Sequence, residues 1–159
     1  MRIGINAVGR MKAGPERELA DRYLDRFTKA GPPLGLEFGG VAESAESRLG
    51  TAAERMREEA ARLDGALSAG GLILLDERGK NLTSPAFAQL IADHRDRGSR
   101  QITFAIGGPD GHAANLRDQA VALISFGAAT WPHQMVRVML GEQLYRAATI
   151  LSGHPYHRV

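Results

Sequence analysis

Leu72-Ile73-Leu74-Leu75 is apolar at every position, and Ile102-Thr103-Phe104-Ala105-Ile106 is apolar at all but Thr103. A strand with one face in water alternates apolar and polar residues. A run without alternation is buried on both faces, as in a parallel sheet covered by helices on each side. The intervening segments carry the other period. Over residues 15–28, Leu19, Tyr23 and Phe27 recur four apart, which draws one face of a helix. The pattern predicts strands over 2–8 (ended by Gly9), at Leu36-Glu37-Phe38, over 72–75 and 102–106, and from Val121 to Phe126. It predicts helices over 15–28, over 44–67 with Gly70-Gly71 as the stop, from a Ser84 N-cap to Arg97, over 113–120, and from Pro132 in a first turn to Leu151. Asp76 to Lys80 reads as a charged loop. Alternation of this kind predicts an α/β fold, a mostly parallel sheet flanked by helices on both faces. A chain of 159 residues builds this as a single domain with a sizeable core.

Composition removes several classes of function. With 43% hydrophobic and 24% charged residues, the chain has the balance of an ordinary soluble globular protein. No apolar run is long enough to cross a membrane. The N-terminus enters a strand pattern at once, without the layout of a signal peptide, so a cytoplasmic location is expected. Cysteine is absent, which rules out disulfides and thiolate metal sites. His154 and His157 are three apart, but no carboxylate or third ligand stands at a useful spacing, so no metal is expected. A formal charge of +2 permits an anionic partner such as RNA without demanding one.

Ligands in open α/β sheets sit at the carboxyl ends of the strands. Three loops meet that condition, after Leu75, Ile106 and Phe126. The first, Asp76-Glu77-Arg78-Gly79-Lys80, reads as a solvated charged turn. The second, Gly107-Gly108-Pro109-Asp110-Gly111, is either a tight turn with glycines at positive φ or a place where backbone approaches a ligand closely. The third, Gly127-Ala128-Ala129-Thr130-Trp131, suits an adenine-sized ring held by backbone groups and equally suits close helix–sheet packing. Neither a dinucleotide fingerprint nor a phosphate-loop motif is present.

The final helix carries two apolar stripes. Val136, Leu140, Leu144 and Leu151 form one; Met135, Val138, Met139 and Tyr145 form the other. Apolar residues on two sides mean burial on two sides. One side faces the sheet, and the second predicts a partner subunit in a two-fold dimer. His133 and Arg137 share a helix face, and Glu142 and Arg146 are spaced for an ion pair. Just before its last residue, Val159, the sequence runs His154-Pro155-Tyr156-His157-Arg158, which concentrates donors, an aromatic ring and titratable nitrogens in a segment that is ordinarily featureless.

These motifs occur in a specific order: Ile5 to Lys12 (Ile-x-x-Val-Gly-x-x-Lys), Leu75-Asp76 with Gly79-Lys80, Ile106 to Gly111, Pro132-His133 with Arg137, Glu142 to Ala147, and the tail. In that order the whole chain resembles the small SPOUT-class methyltransferases that modify a pseudouridine in bacterial large-subunit ribosomal RNA. The resemblance implies a C-terminal deep trefoil knot, an exception to the rule against knots. It also implies a homodimer that binds S-adenosylmethionine in a bent shape. By motif, the cofactor contacts fall on Leu75, Gly107, Gly108, Phe126, Gly127, Ala128, Ala129, Thr130 and Trp131, within the three loops already singled out. The implied reaction is methyl transfer to N3 of a pseudouridine, with large-subunit ribosomal RNA or the assembled ribosome as partner.

Such a transfer needs alignment of donor and acceptor, which is a proximity problem. It also needs a way for the imide proton to leave, through a base or a charge-stabilising cation. The candidate catalytic residues are His133, Arg137, Tyr156, His157 and Arg158. Tyr156 is suited to stack on or bond the target base, His157 to take a proton because histidine titrates near neutrality, and Arg158 to contact phosphate. Two rival readings stand beside this one. One is a non-catalytic ribosome- or RNA-binding protein retaining the SPOUT fold. The other is a small-molecule α/β enzyme using a different nucleotide.

Overall fold

The computed structural model describes residues 1–157, so Arg158 lies outside the described residues. Five strands form one sheet in the order β2-β1-β4-β3-β5, with every neighbouring pair parallel. They are β1 (Arg2–Val8), β2 (Glu37–Ser44), β3 (Gly71–Asn81), β4 (Gln101–Ile106) and β5 (Ala122–Ser125). The helices are α1 (Pro15–Ala30), α2 (Ala52–Ala61), α3 (Asp64–Ala69), α4 (Ser84–Asp96), α5 (Ala114–Gln119) and α6 (His133–Ser152).

The period of two along a strand divides the apolar runs between two cores. Ile73 of β3 and Ile102, Phe104 and Ile106 of β4 point to one face, where they meet Leu24 and Phe27 of α1, Phe87 and Ile91 of α4, and Leu140 and Leu144 of α6. Leu72, Leu74 and Ala105 point to the other face, under Ala60 of α2, Leu63 and Leu116 of α5. The unbroken apolar character of 72–75 and 102–106 is the mark of this double burial.

Several expectations change. Residues 44–67 do not form one helix: β2 runs on to Ser44, α2 starts after a Thr51 capping box, and α3 is a separate piece. Strand β2 is longer than Leu36-Glu37-Phe38 because its glycines serve the sheet. Gly39 lies beneath the Arg2 side chain, and Gly40 takes φ 93 beside the register shift opposite Ile3 and Ile5. That is the conformation a bulge asks of glycine. Asp76–Lys80 is not a free loop but part of β3. Ile124 pairs with both Leu75 and Lys80, so the four residues between them bow out of the ladder. At Gly79 a Cβ would lie 2.7 Å from Ile124 Cα, and only glycine allows that passage. The cap of α4 is Thr83, whose Oγ1 accepts from the Ala86 amide at 3.3 Å; Ser84 is the first helical residue.

The second apolar stripe of α6 is partly covered by the chain itself. Val138 is buried with Met11, Ala20 and Leu19. Met139 and Tyr145 stay half-buried. Met139 borders a groove of about 410 Å³ with Leu19, Tyr23 and Phe87.

Candidate functional site

The carboxyl ends of β3, β4 and β5 enclose a cleft of about 280 Å³. Leu75, Gly107, Gly108 and all of Phe126, Gly127, Ala128, Ala129, Thr130 and Trp131 line it, so the three strand-end loops converge on one space. His133, the first residue of α6, lines it as well. The 126–131 segment is internally braced. Ser125 Oγ donates to the Gly127 carbonyl at 2.9 Å, and the Trp131 indole N–H donates to the Phe126 carbonyl at 3.3 Å. Gly127 takes φ 112, a conformation that favours glycine.

The glycine pair is required for close packing and not for its dihedrals. Of the turn's glycines only Gly111, at φ 77, lies in the left-handed region. A Cβ on Gly107 would stand 3.1 Å from His112 Cε1. One on Gly108 would stand 2.8 Å from Glu59 Oε2 and 3.1 Å from Val8 Cγ1. Both directions lead into the protein, so substitution would press the turn outward from beneath. The face toward the cleft is bare backbone, as close approach to a ligand requires.

Three polar side chains, Arg55, Glu59 and His112, hold the turn from below and from the side. Asp110 receives a bidentate pair from Arg55 of α2 at 2.6 and 3.0 Å, and the same guanidinium donates to the Leu49 carbonyl at 3.0 Å. The hydrogen bond from Arg55 holds the Asp110 carboxyl below the usual aspartate range. Glu59, itself buried, accepts from the Ser47 amide at 2.9 Å. His112 is buried beneath Gly107, and burial pushes its pKa down, so its ring is neutral where the turn rests on it.

Sequence reasoning passed over part of this cleft. Asp76 is not solvated: its side chain is 6% exposed and pairs with Arg117 at 3.6 Å. Arg117 also donates to the His112 carbonyl, and Asp76, Arg78 and Arg117 all line the cleft. A carboxylate directly after an unbroken apolar strand was the available signal.

The candidate catalytic residues do not gather in one place. Among the described ones, only His133 lines the cleft. Arg137, one turn along, is buried and donates to Glu43 and to the Gly9 carbonyl at 3.1 Å. Burial alone would raise Glu43, but the bonds from Arg137 and from the Met11 amide outweigh it and keep that carboxyl below its usual range. Arg137 thus ties the loop after β1 to the end of β2. Tyr156 lies along α6: its hydroxyl donates to Glu142 Oε1 at 3.2 Å, and its ring centroid is 4.8 Å from that of Tyr145. Burial and bonds to Tyr23 and Glu142 push the Tyr156 phenol up to about 12, so it remains a donor at neutral pH. Glu142 and Arg146 form the expected ion pair, at 2.5 Å, and Arg146 reaches His157 Nδ1 at 3.4 Å. Glu142 is nine residues from His133, roughly 14 Å along the helix. No described tail residue lines the cleft of its own chain.

A family model described as "Predicted SPOUT methyltransferase" matches residues 1–157. The chain belongs to the SPOUT methyltransferase family. It is 64% identical to the Ribosomal RNA large subunit methyltransferase H of Mesorhizobium japonicum, over 99% of each chain. It is 63% identical to the protein of that name from Brucella anthropi, over 99% of each, and 61% identical to that of Rhizobium leguminosarum bv. trifolii, over the full length of both. The cleft fits this family's use of S-adenosylmethionine, because bare glycine backbone, the self-bonded 126–131 segment and the Trp131 ring provide a cradle for a nucleoside. Among the described residues, no three His, Asp or Glu side chains cluster as metal ligands, and no helix is long and apolar enough to cross a membrane.

Proposed function

We propose that this protein methylates N3 of a pseudouridine in large-subunit ribosomal RNA, in the cytoplasm, as a homodimer that uses S-adenosylmethionine. The relatives' shared name supports the ribosomal substrate. The observation that carries the mechanism is the separation of parts: the cleft sits at the strand ends, while Tyr156 and His157 lie along α6 at the level of Glu142 and Arg146. Each site therefore joins one protomer's cleft to its partner's tail. The half-buried Met139, beside Leu19 and Tyr23, supplies the apolar surface of the seam. The threaded path of SPOUT chains belongs to the same reading, and the passage of Gly79 against Ile124 supports it.

S-adenosylmethionine, when bound, supplies an electrophilic methyl group on a sulfonium. The backbone of Gly107 and Gly108 would hold it on one side and the 126–131 segment on the other. The Trp131 ring, exposed at the mouth, would cover the bound group from water. The protein's remaining tasks are to bring N3 into line and to accept its proton. Tyr156, kept protonated, orients the base as a hydrogen-bond donor. Arg137 is committed to Glu43, so its part is to position the loop after β1. That leaves the imidazoles of His133 and His157 as the proton acceptors, and Arg158 as a phosphate contact.

Complementation between defective subunits tests this arrangement. A chain truncated before His154 keeps its cleft, and a chain with a cleft unable to bind cofactor keeps its tail. Mixed dimers should regain methyl transfer to ribosomal RNA that neither homodimer shows. Confirmed heterodimers without activity would contradict the shared site.

A further inference from the structure

A second groove, of about 290 Å³, opens where the C-terminal ends of α1 and α6 meet. Arg26, Lys29, Tyr145, Thr149, Ser152 and His154 line it, and no carboxylate is among its lining residues. Arg26 has no carboxylate partner among the described residues. Its guanidinium carbon instead stands 5.7 Å from the ring centroids of both Tyr23 and Tyr145. That stacking fixes the position of the cation without cancelling its charge. Among the described residues Lys29 pairs only with Asp25, and both side chains are well exposed, at 74% and 59%. An exposed pair of this kind is worth little and gives way readily to a stronger anion. The Tyr145 ring that forms one wall of the groove also packs against Tyr156. The groove is thus continuous with the tail that, on the reading above, meets the target nucleotide.

We propose that this groove seats the RNA strand flanking the target, with Arg26 and Lys29 on backbone phosphates and Tyr145 beside a sugar or base. Cations interleaved with aromatic faces are the chemistry by which proteins hold unpaired RNA. A purely apolar partner would leave the Arg26 charge buried and unmatched, whereas a phosphate satisfies it. The inference rests on the assignment of the tail to substrate, and it makes α1 part of the RNA-binding surface.

The test is the double variant Arg26→Met with Lys29→Met, compared with the wild type and with the charge-preserving Arg26→Lys with Lys29→Arg. The substrates are large ribosomal subunits, both free and within assembled ribosomes, from a strain lacking the methyltransferase, and the same RNA stripped of protein. The neutral variant should raise KM for the subunits about tenfold, leave kcat at saturation and cofactor affinity unchanged, and remain a dimer by light scattering. The slope of log affinity against log salt for the stripped RNA should fall by about 1.4, because each phosphate contact to a single strand contributes about 0.7. The charge-preserving variant should recover most of the affinity. An unchanged KM and salt slope would overturn the proposal. So would a rise in KM confined to intact subunits, which would mean an acidic protein occupies the groove, and so would dissociation of the neutral variant into monomers. If the wild type itself fails to methylate these subunits, the functional reading fails instead of the groove.

Discussion

Replacing Gly108 with alanine tests whether the turn at the cleft is closed from beneath. The new Cβ would lie 2.8 Å from Glu59 Oε2 and 3.1 Å from Val8 Cγ1. Val8 can yield a few tenths of an ångström. Glu59 is buried and tied to the Ser47 amide, so it moves only by giving up that bond. A hydrogen bond to a charged group contributes about 1.5–3 kcal/mol. For a domain of this size that is a fall in Tm of about 3–12 °C. Calorimetric titration with S-adenosylhomocysteine should show weakened binding in the same variant, because a turn pushed outward narrows the cleft. Adding Glu59→Ala should remove the clash, so the double variant should melt no lower than Glu59→Ala alone; non-additivity of this sort marks direct contact. A Gly108→Ala protein that melts and binds like the wild type would refute the reasoning, as would strictly additive losses.

Three further outcomes are expected. Arg55→Met and Asp110→Asn should each weaken S-adenosylhomocysteine binding several-fold while shifting Tm little, since the pair is partly exposed but anchors the turn; titrations equal to the wild type would contradict this. The carboxyl of Glu43 is held below its unfolded value, so its contribution to stability is complete above the ordinary carboxylate range and is lost as pH falls through the lowered value. Arg137→Met should therefore flatten the acid limb of a stability–pH curve measured by urea unfolding, and parallel curves would count against the pairing. Met139→Asp should shift the protein from dimer to monomer in light scattering at micromolar concentration, because burying a Met or Val side chain contributes about 1.5–3 kcal/mol and a charge there reverses the sign; a wild type that is already monomeric would contradict the seam.

The two central strands were readable because double burial leaves no polar face to confuse the period, α1 because its apolar residues return on one face, α4 from the start signal at Thr83-Ser84, and α6 from Pro132 and the apolar stripes that follow it. The segment 39–67 was misread for a local reason. Gly39 and Gly40 disguise a strand that needs them at a bulge, and the Ala-, Glu- and Arg-rich stretch beyond has helical composition right across the break before Thr51. That three loops stand at the carboxyl ends of strands was legible from the strand pattern, but the supports beneath them were not. Arg137 finds Glu43 94 positions away, and Arg55 finds Asp110 55 positions away. No short-range pattern encodes those meetings; in the sequence Arg137 shows only the helix face it shares with His133, which makes it a candidate for catalysis and not a brace. The glycine pair stands out in the sequence as a place where backbone meets a ligand or turns at positive φ; the close approach in the structure is to Glu59, Val8 and His112 on the inner side, which depended on the packing of α2.

Mass spectrometry of large-subunit ribosomal RNA addresses the central claim most directly. The comparison is between a strain lacking this protein and the same strain carrying it on a plasmid. Loss of a single methyl group from one pseudouridine-containing fragment, restored by the wild-type chain and not by a chain truncated before His154, is the expected result. Identical methylation in the presence and absence of the protein would contradict it.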